Sequence, residues 1–261
     1  MKSLARAAFS AFRLSIRLRV ISPWSYLNWL LFPLLFAAVG LYVLSGPGTV
    51  SSHLVYGVLG GGLIGYWSVT YIDAGNSIQD ERWNGTLEQI FATPTPLSVI
   101  ILGKVSGGLL FGLLAFVPTA ALAFFGFHAE LPALDPSRFV ISLAILTFSF
   151  LSIALTLTPL FALWRWAFSM LNGFELGVYV LCGFMFPVAV LATWAQGVAS
   201  VLGPTWAVRA IYASTVAGGP HDFAVWWAAA VGLSLLYLVV GYFLYALVER
   251  EARRSGELAL A

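Results

Sequence analysis

Gln79–Lys104 reads QDERWNGTLEQIFATPTPLSVIILGK, the only long polar interruption in the first two-thirds of a very apolar chain. It holds Asp80, Glu81, Arg82, Glu88 and Lys104, in a chain with only 13 basic and 11 acidic residues. A hydrophobic segment ends just before it and another begins just after it. A plain turn between two membrane spans needs only a few residues. This one is longer, and over 81–92 it reads as a short amphipathic helix. Leu87, Ile90 and Phe91 recur at helical spacing on one side, and Glu81, Arg82 and Glu88 supply the polar remainder. Pro94 and Pro96 then end it, because proline lacks the N–H that a helix interior requires. Gly85 would allow another backbone to come close.

The rest of the composition gives that helix its setting. Of 261 residues, 60% are apolar and 9% charged, with a mean hydropathy of +0.91. Soluble domains carry about 25% charged residues. An integral membrane protein with one membrane domain, 1–261, is expected. A helix needs about 20 apolar residues to cross the hydrocarbon, and six such stretches are read at 25–44, 54–78, 98–126, 139–163, 168–190 and 224–247. Trp24, Tyr26 and Trp29 open the first as an interfacial aromatic group, and Trp164 with Trp166 mark another interface. With the N-terminus placed in the cytoplasm, 11 of the 13 Lys and Arg residues fall inside; Arg138 and Arg209 fall outside. That bias puts both termini in the cytoplasm. The apolar stretch 191–217 contains Pro204, Arg209 and several glycines, and a seventh span there would reverse the bias. It is therefore read as short re-entrant helices, tolerated at depth where protein buries their backbone.

Residues 2–20 are expected to form an amphipathic helix at the membrane surface. At 100° per residue, Lys2, Arg6, Arg13 and Arg17 fall within about 60° of one another, opposite Leu4, Ala8, Ala11, Leu14 and Leu18. Cations on such a face sit among lipid phosphates. The basic residues are spread out and no small-residue cleavage site follows, so a secretory signal is not expected.

Glu81-Arg82, Gly85-Thr86-Leu87-Glu88, Thr93-Pro94 and Leu97, at this spacing between two spans, resemble the first cytoplasmic loop of type-2 ABC transporter permeases. Phe186-Pro187 leading to Gly203-Pro204-Thr205-Trp206 is similar to the stretch before that family's last span. The resemblance implies a permease of six transmembrane helices, with an N-terminal elbow helix and re-entrant helices before the last span. It implies that 81–92 is a coupling helix, whose Glu81, Arg82, Gly85, Thr86, Leu87, Glu88 and Phe91 meet a separate ATPase. Two permease chains, identical or paralogous, would pair with two ATPase subunits, which hold ATP and Mg. The cargo implied is amphiphilic: a drug, an antibiotic, or a lipid- or glycan-linked molecule. The setting implied is a prokaryotic inner membrane.

This chain itself shows no catalytic signature. Gly103-Lys104 is followed by Val105 and lacks the upstream glycine of a phosphate-binding loop. His53, His128 and His221 are far apart, and the single Cys182 excludes an internal disulfide and a cysteine-based metal cluster. Neither a metal site nor nucleic-acid binding is expected. Gly57, Gly61 and Gly65 put small residues on one face of the second span, for packing inside the chain or for a second subunit or cavity wall. Asp73 and Glu175 are acids inside spans, and Glu175, beside Asn172, is either paired structurally with Arg165 or a backbone group, or exposed to the cargo path. Two other readings remain open: a secondary transporter that needs no ATPase, and a sensing subunit of the same architecture.

Overall fold

The computed structural model describes residues 2–44, 51–85, 89, 93, 95–127, 135–163, 171–215 and 222–255. Among these every regular element is helical. The order is α1 (Lys2–Ile21), α2 (Pro23–Tyr26), a π-helical turn (Leu27–Leu31), α3 (Phe32–Leu44) and α4 (Ser51–Trp83), then α5 (Leu97–Gly112). A 3₁₀ turn, α6 (Phe116–Ala121) and a π-turn continue α5 without a break to Gly126. The chain then forms α7 (Pro136–Leu163), α8 (Leu171–Leu181), α9 (Thr193–Val201), α10 (Gly203–Ala213) and α11 (Phe223–Ser255).

Among the described residues three helical runs are long and apolar enough to cross a membrane: Leu97–Gly126, Pro136–Phe161 and Phe223–Val248. The shortest of these, at 26 residues, extends about 39 Å, against a hydrocarbon core of about 30 Å. Along α11, Val225, Leu235, Leu236, Val239, Val240, Phe243 and Leu247 are all exposed. A soluble protein avoids so large an apolar patch; in lipid it needs no cover. This is a membrane protein.

α4 is less apolar because it faces protein. Every residue from Gly60 to Tyr71 is buried, Tyr66, Trp67 and Tyr71 almost completely. Its glycines meet α3 in antiparallel order. A Cβ on Gly57 would lie 2.9 Å from the Leu41 nitrogen, one on Gly61 would lie 2.6 Å from the Ala37 Cβ, and one on Gly65 would strike the Pro33 ring. Pro33 also accounts for the π-turn before α3. It has no N–H to offer the carbonyl four residues back and its ring crowds that carbonyl, so the helix widens there. α4 and α5 run antiparallel too, with Phe116 covering Gly62, Tyr66 against Gly112 and Asp73 against Gly108.

Asp135 starts α7. Its Oδ1 accepts from the Arg138 N–H at 3.2 Å and the Ser137 hydroxyl at 2.7 Å, with Pro136 at the first helical position. α7 and α11 are joined by a polar seam. The Trp227 indole donates to Ser142 (2.9 Å), the Ser234 hydroxyl to Ser149 (2.8 Å) and the Thr156 hydroxyl to the Tyr237 carbonyl (2.7 Å). The first two pairs keep one sequence offset, 85, so α7 and α11 run parallel.

The structure differs from the sequence expectation at three places. The second span was expected to end at 78, but α4 continues to Trp83, so Glu81 and Arg82 belong to its last turn rather than to a separate helix. The fifth was expected as one helix over 168–190. Its described residues, 171–190, form α8, which stops at Leu181, and a separate 3₁₀ turn at Val188–Val190. Gly183 at φ +71° takes the left-handed conformation, its N–H bonds the Val180 carbonyl, and the Phe184 N–H bonds the Tyr179 carbonyl. This double bond closes a helix C-terminus, and the Tyr179 and Phe184 rings, 5.9 Å apart, supply the accompanying apolar contact. The first expected span is helical without a break from Pro23 to Leu44 but widens to a π-turn at Leu27–Leu31. Of the stretch 191–217, the described residues 191–215 contain two short helices, α9 and α10, meeting at Leu202. Neither is long enough to cross a bilayer.

Candidate functional site

One charged cluster gathers where α1, α4 and α5 meet. On α4 the residues Asp73, Asn76, Ser77, Asp80 and Glu81, continued by Asn84 in the turn just past its end, recur every three or four positions and so form one polar stripe. The stripe lines a cavity of about 320 Å³ with Ser15 and Arg19 of α1 and Lys104 of α5. Arg19 forms an ion pair with Asp73, and Lys104 forms one with Glu81 while its Nζ donates to the Ser77 carbonyl at 3.3 Å. All four charged side chains are less than a fifth exposed.

Burial lowers the Arg19 pKa to about 10, with the Asp80 charge offsetting part of that effect, so the guanidinium stays charged at neutral pH. Asp80 is pushed above the ordinary carboxylate range, first by desolvation. Glu81 adds to that rise, and Lys104 and Arg19 oppose it. Each pair ties together elements distant in sequence: Arg19–Asp73 joins α1 to α4, and Glu81–Lys104 closes the α4–α5 hairpin just before its connecting segment.

α1 lies along α5 through small residues. A Cβ on Gly103 would strike the Ala8 carbonyl and lie 2.8 Å from the Ala11 Cβ, and one on Gly107 would lie 2.8 Å from the Ser15 hydroxyl. Ser15 donates to the Lys104 carbonyl at 3.0 Å. Gly103 and Gly107 are four apart on one face of α5, which permits this approach. The expected apolar face of α1 thus divides. Ala8 and Ala11 meet α5, whereas Leu4, Leu14 and Leu18 are 38%, 51% and 59% exposed. Arg6, Arg13 and Arg17 are exposed as well, and Lys2 opens the helix.

A second polar group lies deeper. Glu175 of α8 accepts from the Ser68 hydroxyl of α4 and from the Tyr179 hydroxyl, both at 2.5 Å. Ser68 and Tyr179 are buried. Glu175 therefore holds α8 to α4. Asn172 lies in the first turn of α8, and Arg165 lies outside the described residues. Gly57, Gly61 and Gly65 are covered by α3 of this chain.

Of the residues named for the loop, Glu81 is paired, Arg82 is in α4, and Gly85 turns the chain in open space at φ +66°. Thr86, Leu87, Glu88 and Phe91 lie outside the described residues. The α4 stripe and the pairing of Arg19 were missed by the sequence reading. The signal was the helical spacing of Asp73, Asn76, Asp80 and Asn84, obscured by ending the helix at 78. Compared with known protein families and with curated proteins, the chain matches none.

Proposed function

We propose that this chain is the membrane subunit of an ATP-driven exporter of the type-2 ABC kind, moving an amphiphilic cargo outward. The observation that carries the reading is the double tie at the base of the α4–α5 hairpin, Glu81 to Lys104 and Arg19 to Asp73. A push on the segment between α4 and α5 meets two helices and α1 braced as one body. Force delivered there moves α4, the central helix, instead of being lost in a slack loop. ATP and Mg belong to two separate ATPase subunits, and a second permease chain completes the path. No reaction is assigned to this chain.

Two further features support a six-span plan with both termini in the cytoplasm of a prokaryotic cell. Parallel α7 and α11 require the chain between them to return across the bundle, and α8, too short to cross alone, is one helix on that return. α4 carries the charged cavity at one end and Tyr56, which lines a second cavity, at the other. The 22 residues from Tyr56 to Ser77 extend about 32 Å, close to one hydrocarbon thickness.

The test is co-purification and ATPase activity in lipid for Arg82→Glu and Glu88→Lys. Both variants insert normally, because both positions lie beyond the Tyr56–Ser77 stretch that matches the hydrocarbon, and both lose the partner or its coupling. Normal binding and normal transport in both would remove this reading. The Glu175–Ser68–Tyr179 group favours one second reading, an ion-coupled transporter without an ATPase. Transport by the chain alone in vesicles, driven by an ion gradient, would establish it.

A further inference from the structure

At the end of α4 opposite the charged cluster lies a cavity of about 420 Å³. It is assembled from four places: Val55 and Tyr56 of α4, the Gly183–Ala189 segment after α8, Val208 to Ala213 of α10, and Trp226 of α11. Its volume falls within the range of small-molecule sites, about 300–1,000 Å³. Among its described lining residues, three carry aromatic rings. Tyr56 and Tyr212 are stacked with centroids 4.1 Å apart, and Tyr212 is fixed by donating its hydroxyl proton to the Phe184 carbonyl. Trp226 is the third.

Among the described residues of this wall the one cation is Arg209. Its guanidinium lies 4.9 Å from the centre of the Trp206 ring, and Trp206 is itself anchored by an indole hydrogen bond to the Ser200 carbonyl at 2.8 Å. Among the described residues Arg209 has neither a carboxylate partner nor a hydrogen-bonded one. Arg138, by contrast, is paired with Asp135. A guanidinium stacked on a ring keeps its in-plane N–H donors free, in the fork that suits phosphate and carboxylate. A cation against an apolar wall in a membrane protein is expensive unless an anion or water meets it.

We infer that this cavity binds the anionic head of an amphiphile, with Arg209 holding the anionic group and the Tyr56, Tyr212 and Trp226 rings holding the adjoining apolar part. The inference stands apart from the ATP-driven reading, since it needs only the membrane character of the chain. An occupant touches α4, α10 and α11 together, so it fixes the short helix α10 against the bundle.

The experiment is native mass spectrometry of the full chain, delipidated in detergent and titrated with phosphatidylglycerol or with phosphatidylcholine of the same acyl chains. The wild type is expected to retain phosphatidylglycerol about ten-fold more strongly, the scale of a charge-assisted contact. Arg209→Gln loses that preference, Arg209→Lys keeps part of it, and Arg138→Gln leaves it unchanged. Arg209→Lys also controls for folding, checked by gel filtration and circular dichroism. Inorganic phosphate and glycerol phosphate form the soluble arm. If either displaces the lipid at millimolar concentration, the site takes the anion itself, with or without a lipid tail, and Arg209 stays its ligand. Equal retention of both lipids by the wild type, or an undiminished preference in Arg209→Gln, overturns the inference.

Discussion

Asp73→Asn breaks the tie between α1 and α4. The side chains of Arg19 and Asp73 are 15% and 13% exposed. An exposed pair contributes about 0–1 kcal/mol, and removing one member of a buried pair costs about 3–5 kcal/mol, because the other charge is left in a poor solvent. These exposures put the pair near the buried limit, and the adjoining cavity admits some water, so about 3 kcal/mol is expected for Asp73→Asn. At about 2–4 °C per kcal/mol for a chain of this size, the thermal midpoint falls by about 6–12 °C. Arg19→Gln should lose a similar amount. The double variant should lose little more than either single one, because no orphaned charge remains. Light trypsin digestion at Arg13 and Arg17, with intact mass as readout, reports whether α1 leaves α5. Strictly additive losses, or an α1 as protected in Asp73→Asn as in the wild type, would refute the reasoning.

The other predictions are brief. Gly61→Ala should destabilise by about 1–3 kcal/mol through overpacking, since its Cβ meets the Ala37 Cβ at 2.6 Å and the Pro33 carbonyl at 2.8 Å. Gly177→Ala, with no atom within 4 Å, should instead stabilise α8 by about 0.5–1 kcal/mol; thermal melts of both variants check the pair. Asp80 has a folded-state pKa above its ordinary value, so it favours the fold when protonated and loses that contribution as pH rises through the raised value. Asp80→Asn should therefore raise the melting midpoint at pH about 7, and the gain should vanish near pH 4; a gain unchanged by acid would contradict the assignment. Glu175→Gln should keep its hydrogen bonds and fold normally, whereas Glu175→Ala should cost about 1–3 kcal/mol by stripping Ser68 and Tyr179 of their common acceptor. Changed transport in a well-folded Glu175→Gln would place that residue on the cargo path.

Membrane character and helical class were legible in the composition. So were the three long apolar helices, each found within a few residues, because a lipid-facing helix must carry its apolarity in its own sequence. The helical form of residues 2–20 also followed from periodicity. Helix ends that depend on polar or glycine chemistry did not follow. α4 runs past 78 because Asp73, Ser77 and Glu81 find partners on α1 and α5, and no window of its own sequence contains those partners. α8 stops at Leu181 because Gly183 turns left-handed inside an apolar run that hydropathy cannot distinguish from a span.

The tertiary structure alone decided what each ambiguous residue touches. The α4 glycines have one pattern in sequence whether they face α3, a second subunit or a cavity, and only the positions of Pro33, Ala37 and Leu41 assign them to α3. Arg19 and Arg17 are two residues apart and equally basic, yet one is buried against Asp73 and the other exposed, because helical geometry turns one toward α4 and the other away. Hydropathy is a property of each residue, so the sequence carries it in full. Pairing is a property of two residues brought together by packing, and only the folded chain settles it.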